Sequence, residues 1–147
     1  ATLETMAFWF ATLNARSDIK TYGYSKSWHL FTAWGARNPF PDNYLLNLSS
    51  GSRFDNDAAM FARVSELACT RGTFTAVDGI STKADYRKGH ELELKRHLAE
   101  LRERARAVLG VDKVFACPGR CGSCTPKGHA CSSRALAGVP IVIATHA

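Results

Sequence analysis

Apolar residues recur along the chain at two spacings that alternate from segment to segment. Steps of three and four residues predict helices over residues 2–16, 27–36, 55–70 and 88–109. Short apolar or alternating runs predict strands over residues 18–24, 43–48, 73–77, 113–116 and 139–144. The order αβαβαβαβ, followed by a loop and a strand, predicts an α/β fold with a mostly parallel sheet, either open or a partial barrel.

Some of these elements carry signals for their ends or for their buried faces. Asp55 or Asn56 is the predicted N-cap of the third helix, and Gly110 is predicted to close the fourth as its C-cap. Cys69 falls on the apolar side of the third predicted helix, which predicts a buried free thiol. His97, on the charged fourth helix, is predicted to lie at the surface.

Length and charge narrow the class of protein. A chain of 147 residues with 46% hydrophobic content suits a single domain over residues 1–147. No apolar run approaches the ~20 residues that cross a bilayer, and the start lacks a signal-peptide pattern. We therefore expect a cytoplasmic protein with no membrane segment. The net charge of +6 permits an anionic partner, although glutamates interspersed through residues 87–106 are typical of a solvated helix face.

Polar and basic residues follow the predicted strands at their carboxyl ends. Ligands of parallel α/β sheets bind at this edge, because the loops that follow parallel strands meet there. The candidate ligand-binding residues are Lys26, Ser50, Arg53, Asp78, Lys83 and Arg120. The basic members suit an anionic small molecule such as a phosphate, a carboxylate or a nucleotide, with Asp78 as a polar or acid–base group. The alternative is that these residues are ordinary turn formers in exposed loops.

The strongest chemical signal is a run of cysteines spaced C-x3-C-x2-C-x6-C. Its members are Cys117, Cys121, Cys124 and Cys131, and residues 117–134 form the predicted metal-binding loop. Several thiolates that converge on one point are what a soft metal centre needs. Intervening small or stiff residues, among them Gly119, Gly122, Ser123, Gly128, Pro118 and Pro126, favour a tight loop with its amides turned toward the sulfurs. Disulfides are disfavoured without a secretory signal.

The spacing leaves two metals open. The run C-x3-C-x2-C is the spacing of the cluster loop in radical S-adenosylmethionine enzymes, which favours a [4Fe–4S] cluster. Cys131 would then fill the fourth corner and close the site. Zinc is the alternative, held by the same four thiolates in a tetrahedron. His129 could replace Cys131 as the fourth ligand of either metal.

Two short segments resemble a family of known proteins. Residues 22–27 (YGYSKS) and 113–124 (KVFACPGRCGSC) are similar to parts of the phage and plasmid "gene product eighty-eight" group of Cys-rich proteins, whose function is unassigned. The resemblance implies a mobile-element origin, a host-cell cytoplasmic location and a bound metal, but no reaction. Members of the group are expected to carry an earlier cysteine segment, so this chain is expected to be a shortened relative or the later part of a larger protein.

Three functions are consistent with these patterns. The leading hypothesis is a small metalloprotein, related to redox or radical-type enzymes, that acts on an anionic ligand. The second is a zinc-stapled module that binds nucleic acid through phosphate contacts. The third is a module that binds a host protein and uses its metal for structure alone. The sequence predicts neither a catalytic residue nor an oligomeric state.

Overall fold

The structure, a computed structural model, describes residues 2–121, 124–125 and 128–145. Within these residues the helices are α1 (Leu3–Ala15), α2 (Trp28–Gly35), α3 (Ala58–Ser65) and α4 (Glu91–Leu109). The strands are β1 (Thr21–Ser25), β2 (Tyr44–Ser49), β3 (Thr70–Val77), β4 (Phe115–Ala116) and β5 (Ile141–Ala144). They form an open parallel sheet in the order β1-β2-β3-β5-β4, which confirms the predicted fold class. No helix among the described residues is long and apolar enough to span a membrane.

The chain divides into two compact units, and the boundary falls inside β3. The first unit comprises Ala1–Gly72 together with Cys131–Ala137, and the second comprises Thr73–Ala130 and the residues from Gly138 onward. The prediction of a single domain over residues 1–147 stays a prediction.

The first unit is built on an aromatic-rich core. Helix α1 starts at the N-cap Thr2, whose hydroxyl accepts the amide of Thr5, and it buries Met6, Phe10 and Leu13. The ring of Phe10 lies 5.2 Å from that of Trp34, at an edge-to-face angle that favours aromatic attraction. The other buried members of this core are Trp28, Phe31, Leu46, Leu48, Met60, Val64 and Cys69. Burial of each large apolar side chain stabilises the unit by about 1.5–3 kcal/mol.

The second unit packs α4 on its strands. Its buried residues are Val77, Leu101, Ala105, Ala116, Val142 and Ala144. Gly110 ends α4 in the left-handed region, with φ of 64°, and its amide donates to the Arg106 carbonyl, so the predicted C-cap is confirmed. The predicted surface position of His97 is wrong. His97 is buried because it lies one turn before Leu101 on the buried stripe, and its Nδ1 lies 2.9 Å from the Thr82 carbonyl oxygen.

The third helix is shorter than residues 55–70, and its predicted N-cap is wrong. Asp57 caps α3 by accepting the amide of Met60 at 2.8 Å. Asp55 is not available for this role, because its carboxylate accepts the amides of Gly51 and Ser52 in the preceding loop. At the other end the chain leaves the helix and enters β3 at Thr70, whose hydroxyl donates to the Val64 carbonyl at 2.6 Å.

The first predicted strand also begins too early. Residues 18–20 belong to the turn after α1, where Arg16 binds the Asp18 carboxylate through two hydrogen bonds of 2.8 Å. The ladder with β2 therefore begins at Thr21, which pairs with Tyr44. The fourth and fifth strands are shorter than predicted, since pairing between them starts at Phe115 and Ile141.

Candidate functional site

The cysteine loop follows β4 in the second unit. All five cysteines lie in the described part of the chain, and none of them forms a disulfide bond there. In the loop, Cys117 and Cys124 are half-buried and Cys121 is exposed. The amide of Gly119 donates to the Cys117 sulfur at 3.4 Å, and the amide of Ala130 donates to the Cys124 sulfur at 3.4 Å. Amide donation of this kind stabilises a thiolate, which is the form that binds metals.

Two residues that pair with each other bring the chain back toward Cys124. Thr125 and Gly128 form an antiparallel bridge, and the Thr125 hydroxyl donates to the Gly128 carbonyl. Gly128 has φ of 116°, which a residue with a Cβ rarely adopts. The pairing of Thr125 with Gly128 thereby brings the Ala130 amide to the Cys124 sulfur.

Within its described residues, the loop has some of the features that a metal site requires and lacks another. The soft thiols and the amides aimed at two of them fit a metal–thiolate loop. Convergence is not observed: among the residues that the structure describes, no group of three or more His, Cys, Asp or Glu is arranged to hold a metal ion. Gly122, Ser123 and Pro126, which the sequence analysis assigned to the tightness of the loop, lie outside the described residues. The predicted ligands Cys117, Cys121, Cys124 and Cys131 stay predictions.

Cys131 has a separate set of contacts, within the first unit. It is 6% exposed, and its sulfur accepts the hydroxyl of Tyr24 at 2.9 Å. Its carbonyl accepts the side-chain amide of Asn47 at 3.1 Å. Tyr24 and Asn47 are partners in the register between β1 and β2. The strand pairing thus sets two hydrogen-bond donors side by side against this cysteine.

A buried guanidinium completes this polar cluster. Arg71, at the start of β3, is 1% exposed; it donates to the Asn47 carboxamide oxygen and, at 3.0 Å, to the Leu136 carbonyl. Burial lowers the pKa of Arg71, and the charges of Cys131 and Tyr24 oppose that shift. Asn47 and Arg71 were not predicted, because the expected ligand-binding residues were those that follow the strands and these two lie within strands. A polar residue inside the apolar run of β2 was the available signal.

A cleft of about 500 Å³ adjoins the cysteine loop in the second unit. Helix α4, the segment before it and the loop after β4 form its walls. Lining residues from the loop are Pro118, Arg120 and Cys124, and those from α4 include Leu94, Leu98 and Arg102. Of the predicted ligand-binding residues, Arg120 lines this cleft.

Tyr86 lines the cleft and lies close to the cysteine loop. A Cβ on Gly119, which has φ of 82°, would lie 3.3 Å from the Tyr86 hydroxyl oxygen, so the loop passes close to this ring. Burial raises the pKa of Tyr86, the charge of Cys117 raises it further, and Arg120 opposes both. The phenol of Tyr86 is thus influenced by both a thiol and a guanidinium of the cysteine loop.

The cleft is lined by more positive than negative side chains. Arg87 binds the Asp85 carboxylate at 2.6 Å and holds the pKa of Asp85 well below its usual range. His90 lies 3.1 Å from the same carboxylate. Among the described residues, the lining holds four cations (Arg87, Lys88, Arg102 and Arg120) and two carboxylates (Asp85 and Glu91). The cleft therefore suits an anion.

The other predicted ligand-binding residues are divided between the two units. In the first unit, Lys26 follows β1 and Ser50 and Arg53 follow β2. The loop amides of Gly51 and Ser52 already bind Asp55, and the Ser52 hydroxyl donates to the Lys26 carbonyl at 2.7 Å. This loop therefore binds its own carboxylate in the position that an external anion would take.

Asp78 and Lys83 belong to the second unit but do not line the cleft. Asp78 accepts the hydroxyl of Thr145 at 2.6 Å, which ties the end of β3 to the end of β5. Lys83 is exposed in the loop that leads to α4. The six strand-end residues are thus not one group within either unit, and their ligand-binding role stays a prediction.

Comparison with known proteins identifies no relative of this chain. No model of a known family matches the chain, and no curated protein and no solved structure is significantly similar to it. The resemblance based on residues 22–27 and 113–124 stays a prediction. Without a relative, the cysteine loop and the cleft beside it are the features that bear on function.

Proposed function

We propose that this chain is a small metalloprotein, of the phage or plasmid type suggested by the resemblance, whose cysteine loop holds a [4Fe–4S] cluster and whose adjoining cleft takes an anionic ligand. The observation that carries the proposal is the pair of backbone amides donated to Cys117 and Cys124. A backbone that turns N–H groups toward sulfurs lowers the cost of thiolates there, as a metal–thiolate centre requires.

The spacing C-x3-C-x2-C supports iron–sulfur over zinc. In this proposal Cys117, Cys121 and Cys124 hold the cluster, which when bound would supply one-electron chemistry. The fourth ligand, Cys131 or His129, stays as open as the sequence leaves it. Zinc bound by the same thiolates is the alternative, and it would make the loop a structural staple.

The cleft supports the second half of the proposal. Arg120 is carried by the cysteine loop itself, so an anion held by Arg120 would lie beside the metal. Lys88 and Arg102 would contribute further positive charge from the segment before α4 and from α4. Tyr86 would lie close to both, because it lines the cleft and its hydroxyl lies near the loop at Gly119.

Substitution of single cysteines tests the ligand assignment. Cys121→Ser removes an exposed thiol and should leave the fold intact, yet we expect it to lower the metal content measured after purification without oxygen. Cys69→Ser is the matched control. Burial in the core of the first unit raises the pKa of the Cys69 thiol to about 12, so this thiol is poorly suited to ligate a metal.

Equal metal content in both variants and in the unmodified protein would contradict the assignment. Cys131→Ser and His129→Ala, measured in the same way, identify the fourth ligand. If one of these two variants loses metal as Cys121→Ser does, the residue that it replaces is the fourth ligand.

A further inference from the structure

The lining of the cleft beside the cysteine loop combines apolar and charged residues. Its apolar residues are Leu94, Leu98, Phe115, Ala116 and Pro118. Its charged residues lie on both sides of Leu94 and Leu98 along the chain: Asp85, Arg87, Lys88 and Glu91 come before them, and Arg102 comes after them. Arg120 joins them from the cysteine loop. All of these residues belong to the second unit. A ligand that contacts both kinds of residue must carry an apolar body and a negative group.

The volume of the cleft and its aromatic residues narrow the class of ligand further. A volume of about 500 Å³ falls within the range of pockets that hold small organic ligands. Tyr86 is exposed and Phe115 is half-buried, so both can offer ring surface to a flat ligand group. Arg102 and Arg120 are guanidinium groups, which bind phosphate oxygens through paired hydrogen bonds.

We infer that this cleft binds a nucleoside phosphate, with the base against the apolar residues and the phosphates at Arg102 and Arg120. The inference deepens the proposed function and rests on it, because the cysteine loop supplies Pro118, Arg120 and Cys124 as one wall. The base and the phosphates each contribute a share of the binding energy, so neither half alone should bind as tightly as the whole.

Calorimetric titration with three probes tests this division. We expect ADP to bind with one-site saturation at physiological salt, and adenosine and pyrophosphate each to bind at least tenfold more weakly, a difference of about 1.4 kcal/mol per factor of ten. Arg102→Ala and Arg120→Ala should each weaken ADP binding about tenfold or more, since each removes a charge-assisted contact.

Arg96→Ala is the matched control. Arg96 is an exposed arginine on the same helix as Arg102, and it does not line the cleft. We expect this variant to bind ADP as the unmodified protein does. Equal losses in Arg96→Ala and Arg102→Ala would show diffuse charge attraction and overturn the inference. So would absence of saturable ADP binding.

Two further readouts separate the outcomes. Metal content is measured on each titrated sample: bound metal without ADP binding overturns the inference and leaves the proposed metal site standing, whereas ADP binding without metal does the reverse. A single-stranded oligonucleotide that binds more tightly than ADP, and loses affinity in Arg102→Ala, would overturn the small-molecule site in favour of a nucleic-acid interface.

Discussion

At the scale of single residues, Asn47 bonds to three partners at once. Its side-chain amide donates to the carbonyls of Gly23 and Cys131, and its oxygen accepts from Arg71. It is fully buried, so water cannot replace any of these partners. A buried polar group that loses its partner keeps the full cost of its desolvation. The stability of the first unit should therefore depend strongly on this one amide.

We expect Asn47→Ala to lower the free energy of unfolding by about 2–3 kcal/mol, because it removes one buried hydrogen-bond partner from the Arg71 guanidinium and from each of two carbonyls. Urea denaturation followed by tryptophan fluorescence measures the change. Asn38→Ala is the control, since Asn38 is exposed and makes a weaker contact of 3.4 Å with the Trp34 carbonyl. A loss at Asn47 no larger than that at Asn38 would contradict the role given to the cluster.

Residue chemistry was predictable where it followed a spacing and was missed where it followed topology. The cysteine run and Arg120 stand out in the sequence because their neighbours in the chain are also their neighbours in the loop. Arg71 and Asn47 are 24 residues apart and meet through a side-chain hydrogen bond between residues of two different strands. A contact between residues of two different strands cannot be predicted from the local sequence around either residue.

At the scale of elements, α4 anchors the loop that precedes it. Glu100, on the third turn, accepts the amides and the hydroxyls of both Ser81 and Thr82. The Thr82 carbonyl in turn lies against His97, one turn earlier on the same helix. The hydrogen bonds, above all that from the Thr82 hydroxyl, lower the pKa of Glu100 from 4.5 to about 2.

This carboxylate gives the element a predictable pH dependence. A carboxyl whose pKa is lower in the folded state stabilises the fold above its unfolded pKa, and the contribution is lost as pH falls through the folded value. We therefore expect the stability difference between the unmodified protein and Glu100→Gln to shrink as pH falls from about 4.5 to about 2.

Urea denaturation at a series of pH values measures this difference, with Glu103→Gln as the control at an exposed position on the same helix. A difference between the unmodified protein and Glu100→Gln that stays constant across this range would show that the Ser81–Thr82 contacts do not favour the charged carboxylate.

Element ends were predictable when one residue type decides them. Gly110 closes α4 because a residue without Cβ adopts its backbone angle at little cost. The start of α3 was missed, because residues 55–57 offer three neighbouring Asx side chains and any of them can cap a helix. The choice of Asp57 depends on Asp55 being bound to Gly51 and Ser52, which is a property of the loop and not of the helix.

At the scale of the whole molecule, the alternation of helices and strands was sufficient to predict a parallel α/β sheet. It was not sufficient to predict the strand order, in which β5 lies between β3 and β4. Nor did it predict that Cys131 would belong to the first unit and Cys117, Cys121 and Cys124 to the second. Spacing along a chain does not determine in which compact unit each residue is packed.

The central claim is that the cysteine loop carries a metal, and the most direct test is the metal content and absorption spectrum of the full chain purified without oxygen. The account predicts about four irons and four sulfides per chain and a broad absorption band near ~400 nm, as expected of a thiolate-ligated cluster. About one zinc and no colour would keep the metal site and replace redox chemistry with a structural staple. Protein that is folded, reduced and free of either metal would contradict the claim.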